Sequence, residues 1–165
     1  MEGWTSGGSF DRAASFLPTT ISNRREMIAQ TTRYGLSVTV PLAYEQAVER
    51  AREALAAEGF GILAEMDIAA TLRKKLDVEF RPYVILGACN PSLAHRALLA
   101  EPDIGLLLPC NVIVYAANEP GQSVVAAMDP VEALALTGND GIRSIAEDVK
   151  ARLRRVLEAV ERGTV

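Results

Sequence analysis

Residues 83–115, YVILGACNPSLAHRALLAEPDIGLLLPCNVIVY, hold both cysteines, the single histidine, two strand candidates and the helix between them. Tyr83-Val84-Ile85-Leu86 is a short apolar run of strand formers that ends at Gly87. Asn90-Pro91 reads as a helix start, because Asn caps orphan amides and Pro lacks an amide that the first helical position would leave unpaired. Leu93, Ala94, Ala97 and Leu98 then recur at helical spacing until Glu101-Pro102. Residues 104–115 read as a second strand with two apolar faces. Leu106, Leu108, Cys110, Val112 and Val114 lie on one face; Leu107, Pro109 and Ile113 lie on the other, interrupted by Asn111. Such a strand needs cover on both sides. The long C-terminal helix or a second subunit would supply it, and a homodimer is the expectation.

Working outward, residues 36–40 alternate Leu, Val, Val with Ser and Thr, the pattern of a half-buried strand that Pro41 ends. Residues 43–58 give an amphipathic helix stopped by Gly59. Residues 60–67 give a strand, and residues 68–76 a short helix with Lys74-Lys75 at its C-terminal end, where positive charge suits the dipole. After the central stretch come a turn at Glu119-Pro120-Gly121, a strand over 123–128 and a short helix from Asp129-Pro130 to Gly138. The last helix, 141–162, carries a regular stripe of Ile142, Ile145, Ala146, Val149, Leu153, Val156, Leu157 and Val160. This order predicts an α+β single-domain, two-layer sandwich with a mixed or antiparallel sheet. Two successive βαβ units give it a ferredoxin-like flavour, with a long C-terminal helix added.

The domain is expected over residues 33–163. Residues 1–32, rich in Gly, Ser and Thr without a sustained apolar period, read as a flexible extension. Met27 lies close to the first clear strand, so translation starts at Met1 or Met27. With 165 residues the chain has room for one ordinary core. The balance of 17 basic and 21 acidic residues, with no basic run, argues against a nucleic-acid partner. No apolar run approaches the roughly 20 residues of a membrane span, and the first residues lack the features of a secretory signal. Two cysteines in a domain of this size make no disulfide scaffold. The expectation is a cytoplasmic protein without a membrane partner.

The segments EMDIAATLRKKL (65–76), RPYVILGACNP (81–91) and IGLLLPCNVIVY (104–115) together resemble the bacterial and archaeal domain-of-unknown-function family 302. The match runs from about Arg33 to Arg162. The resemblance implies a small α+β domain that forms dimers, and it implies no activity.

The candidate ligand-binding residues are Cys89, Asn90, His95, Cys110 and Asn111, with Cys89, Cys110 and His95 as metal candidates. Cys89 lies next to the helix cap Asn90, where the dipole would lower its pKa; free cysteines are also among the most buried residues. Each cysteine is followed by Asn, and neighbouring strands would bring the sulfurs together. Three readings therefore stand: soft-metal ligands, a redox pair, or neighbours in a core. Metal sites usually take three or four protein ligands, which one His and two Cys barely meet. Glu65 and Asp67 share a strand face and can hold a cation, though solvated carboxylates are commoner there. Lys74, Lys75 and Arg81 could steer a small anion to the amides of Ser92 and Leu93. One histidine and no nucleophile elbow give no catalytic triad, and no phosphate-binding glycine motif is present. The functional expectation is a small ligand or soft metal bound near the two cysteine motifs of a homodimer. The alternatives are a thiol-based redox protein or enzyme using Cys89, and a structural dimer. No catalytic residue or cofactor is identified.

Overall fold

A computed structural model describes residues 29–163. Its strands are β1 (Ala29–Thr32), β2 (Gly35–Val40), β3 (Gly61–Asp67), β4 (Tyr83–Cys89), β5 (Cys110–Ala116) and β6 (Ser123–Met128). Its helices are α1 (Tyr44–Ala57), α2 (Ile68–Leu76), α3 (Pro91–Ala100), α4 (Pro130–Leu134) and α5 (Asp140–Arg162). The strands form one sheet in the order β1-β2-β6-β5-β4-β3, with every neighbouring pair antiparallel.

The expected α+β architecture, with a long C-terminal helix, is present. What element order could not give is the pairing. Strands β3 and β4 are antiparallel neighbours despite the helix between them, and so are β4 and β5. Alternating directions across the sheet leave β2 and β3 parallel but at distant positions, so α1 crosses the sheet between them. Ala29–Thr32 forms a strand within the stretch read as an extension. The remaining residues of that stretch, with Met1 and Met27, lie outside the described residues.

One expected strand is shorter than its apolar content suggests. Pro102–Leu107 is a 3-10 turn, and β5 begins only at Cys110, after a cis peptide bond between Leu108 and Pro109. Pro102 opens the turn at a position where its missing amide is harmless, and Leu106 is left largely exposed to solvent. The doubly apolar strand therefore reduces to seven residues.

Period-2 alternation divides the sheet sharply. Leu36, Val38, Val40, Val84, Leu86, Ala88, Val112, Val114, Val125 and Ala127 all face the helices and are almost fully buried. Against them lie the inner stripe of α1 (Ala47, Val48, Ala51, Ala54, Leu55) and that of α5 (Ile142, Ile145, Ala146, Val149, Leu153, Val156, Leu157, Val160). Helix α1 ends at Gly59, whose φ of +81° suits the left-handed position beyond a helix. Glu58, at that end, forms a two-pronged ion pair with Arg155 of α5, at 2.9 and 2.8 Å. This pairing lowers the Glu58 pKa and ties the two helices together.

A second tie is buried. Asp129, between β6 and α4, is fully buried; it accepts from the amides of Val131 and Glu132 and pairs with Lys150 of α5. Its own amide donates to the Tyr34 carbonyl at 2.7 Å, linking the β1–β2 turn to the same point.

Leu153 is fully buried at the α5–sheet contact. Leu153→Ala is expected to lower stability by about 2–5 kcal/mol. Urea unfolding followed by circular dichroism would measure this as a lower midpoint with an unchanged slope.

Candidate functional site

Two regions compete as functional sites: the end of the sheet that carries the cysteines, and the sheet face opposite α1 and α5.

At the first, β4 ends in Cys89 and leads directly into α3. The Asn90 side-chain oxygen accepts from the Leu93 amide at 3.2 Å, so Asn90 is the helix cap that the sequence suggested. Cys110 is directly opposite Ala88 in the β4–β5 ladder and points into the core. Cys89 and Cys110 line one small hollow with Phe60, Leu93 and Leu108. Its volume of about 20 Å³ has room for roughly one water-sized occupant. Both thiols are free.

The expected lowering of the Cys89 pKa is not found. Burial raises it, and burial together with nearby Cys89 pushes Cys110 up to about 11. Asn90 already takes up the α3 amide that would have stabilised a thiolate, and desolvation outweighs what remains of the dipole. His95 is exposed on α3, on the side away from the buried Leu93 and Ala97. Among the described residues, no group of three or more His, Cys, Asp and Glu side chains is placed to hold a metal.

The carboxylates of β3 have structural partners. Glu65 pairs with Arg52 of α1, and Asp67 accepts from the Ala70 amide at 2.8 Å, capping α2. Arg81 precedes β4 whereas α3 follows it. The seven-residue strand, about 23 Å long, separates Arg81 from the α3 amides, so it cannot steer an anion there. Instead Arg81 lies 5.9 Å over the Tyr115 ring and donates to the Ala116 carbonyl.

The second region is the outer face of the sheet. The register fixes its side chains in rows. Tyr83 is opposite Tyr115, which is opposite Val124. The next row runs Met66, Ile85, Ile113, Ala126, Ser37. Asn111 and Met128 stand one step beyond the Val112–Ala127 pair, on the same face. The Tyr83 and Tyr115 rings are stacked, with centroids 5.4 Å apart and planes within 7°. Burial raises the Tyr83 pKa, and the neighbouring Tyr115 and Tyr34 reinforce the shift.

Between the tyrosine row and the Asn111–Met128 end lies a recess of about 530 Å³. Small residues form its floor, Gly35, Ser37 and Ala126 beside Ile113; Tyr34, Tyr83, Tyr115, Asn111 and Met128 rise around it. The second cysteine motif is thus divided by strand alternation. Cys110 points into the core, and Asn111 points out into the recess. Sequence reasoning missed the tyrosines, Ser37 and Met128. The available signal was the second apolar face of the 104–115 stretch.

A family model described as "Domain of unknown function DUF302" matches residues 36–160. The fold is similar to a crystal structure of an uncharacterized conserved DUF302 protein from Bacillus stearothermophilus. That chain is 30% identical, with a TM-score of 0.73, and the match covers 79% of this chain and all of the other. No curated protein matches the chain. Among the described residues, no helix is long and apolar enough to cross a membrane.

The thiol environment sets a pH dependence. The unfolded Cys110 thiol ionises near its ordinary value of 9.0, whereas the folded one holds its proton to about 11. Over that window the native state binds more protons, so stability should fall as pH rises from 9 towards 11. Iodoacetamide labelling at neutral pH should be slow at both thiols and slowest at Cys110. Rapid modification of Cys89 would contradict the burial argument.

Proposed function

Because this chain belongs to the DUF302 family, whose function is unknown, we propose its role from its own geometry: it is a homodimeric ligand-binding domain whose working surface is the open face of the sheet. The carrying observation is the composition of that face. An antiparallel sheet with one face on a core normally turns polar residues to water on the other. Here the outward positions of β4, β5 and β6 are Tyr83, Ile85, Gly87, Asn111, Ile113, Tyr115, Val124, Ala126 and Met128, and none of them is charged. A continuous apolar surface of this kind marks an interface or a ligand site.

A second copy of the chain is the occupant that fits. Six strands about 4.8 Å apart, each about 20 Å long, give roughly 570 Å² of sheet. Side-chain relief raises the accessible area towards the ~800 Å² per partner of a stable interface. An uncharged face meets its own copy about a two-fold axis without like-charge repulsion, and two such faces pack about 10 Å apart, as in a sandwich.

A second reading rests on the shared hollow of Cys89 and Cys110. There the ligand class is a soft metal or small anion beside the α3 N-terminus, or the thiols form a redox pair. Elemental analysis of untagged, reduced protein beside Cys89→Ser tests it. Stoichiometric metal lost in the variant would favour this reading over the open face.

For the principal reading, sedimentation equilibrium at about 100 μM, well above a micromolar dissociation constant, should give a dimer. Ile113→Asp places a charge at the centre of the open face without touching the helix-covered core. It should give a folded monomer. A wild-type monomer at this concentration, or a dimer unaffected by Ile113→Asp, would reject the proposed interface.

A further inference from the structure

We infer that the recess between Tyr34, Tyr83, Tyr115 and Asn111 is a binding site for one uncharged, planar ring compound per chain. The inference rests on the open face being the working surface and adds what that surface holds.

The first support is the floor. Sheets that pack face to face stand about 10 Å apart, a gap that medium and large side chains must fill from both sides. Ile85, Ile113, Val124 and Met128 meet that requirement. Gly35, Ser37 and Ala126 do not, and they are neighbours: Ser37 pairs with Ala126, and Gly35 with Met128. A flat partner face would bridge this depression and leave a void, which protein interiors disfavour. A ligand is the natural filler.

The second support is size and lining. The recess of about 530 Å³ lies within the usual range of small-molecule sites, about 300–1,000 Å³. None of its lining residues, among the described residues, is Asp, Glu, Lys, Arg or His. A charged ligand enclosed there would lack a counter-charge, at a cost that ordinary hydrogen bonds do not meet. An uncharged ligand has no such difficulty.

The third support is shape. Tyr83 and Tyr115 present stacked, nearly parallel rings at one end of the recess. Arg81 holds Tyr115 from its rim through the ring and the Ala116 carbonyl. Rigid aromatic edges favour a flat partner, through offset or edge-to-face contact. At the opposite end the Asn111 amide offers both a donor and an acceptor, and the tyrosine hydroxyls do the same. A few polar groups around an apolar slot are what orient a small ligand.

The test uses Nile red, a neutral planar dye, titrated into the full chain, with sedimentation run on the same samples. The expected result is saturable binding of one dye per chain with a blue-shifted emission. Ala126→Leu, which fills the floor from the side away from the helices, should weaken binding at least tenfold. Leu136→Ser, which removes an exposed leucine elsewhere, should leave it unchanged. Asn111→Ala should weaken binding of a dye carrying a ring carbonyl while leaving the fold intact by circular dichroism.

The outcomes separate the two ideas. A dimer that shows no saturable binding, or binds equally well with Ala126→Leu, overturns the recess site and leaves the interface standing; the partner's own side chains would then fill the hollow. A monomer that binds dye and loses it with Ala126→Leu supports the recess site and rejects the interface. Binding lost equally in Leu136→Ser identifies nonspecific adsorption and overturns the site.

Discussion

Among the described residues, the structure depends on the packing of α5 and α1 across one face of the sheet. Helix α5 has 23 residues and spans about 35 Å, enough to cross the whole sheet. Its apolar stripe meets the inward side chains of the strands, and these make up the core. Two polar ties add to this apolar packing: Glu58 with Arg155, and Asp129 with Lys150. The second is the more demanding, because Asp129 is fully buried and a buried charge that loses its partner is strongly destabilising. The Asp129 backbone amide also holds the β1–β2 turn, so one residue ties sheet, turn and helix together.

One-sided cover has a second consequence. With both long helices committed to one layer, strand alternation carries every second residue of β4, β5 and β6 to the side opposite them. The cysteine end then closes by local packing. Gly87 has no side chain because Pro109 occupies the space; a Cβ there would come within 2.9 Å of the proline ring. This close approach seats the segment before β5 against β4 and brings Cys110 opposite Ala88. The thiols sit where desolvation dominates, so their surroundings keep them protonated at neutral pH. A helix N-terminus alone was an incomplete guide to Cys89, because its effect depends on amides left free and on contact with water.

Much of this was legible in the sequence, for identifiable reasons. The α5 stripe and the alternation of residues 36–40 are strong periodic signals that tertiary contacts reinforce. Asn90-Pro91, Asp129-Pro130 and Gly59 mark helix boundaries through local chemistry, and they hold in the structure. Residues 104–108 misled because Ile-Gly-Leu-Leu-Leu has the composition of a strand, while Pro102 commits the backbone to a 3-10 turn first. Pairing was not legible at all. Nothing local tells β3 to join β4 at the far edge instead of lying beside β2, because that choice depends on where α1 lands after crossing the sheet. The recess was hidden for the same reason: Ser37, Ala126, Tyr83 and Tyr115 come together only through the register of four strands.

The register also explains how a nearly featureless set of residues becomes a specific surface. Serine, alanine and glycine at outward strand positions are unremarkable individually. Tyrosines at the end of one strand and the start of another are common as well. Once β2, β6, β5 and β4 are aligned, the small residues form a patch and the tyrosines form its wall. A shift of one residue in any of these strands would turn its large aliphatic side chains outward and its small ones into the core. The helix-covered core therefore fixes the recess indirectly: Val38, Val125, Val114 and Val84 hold the register, and the outward residues have no freedom to take another arrangement. The surface is preorganised by residues that never touch it, which allows a site with few polar groups to discriminate by shape.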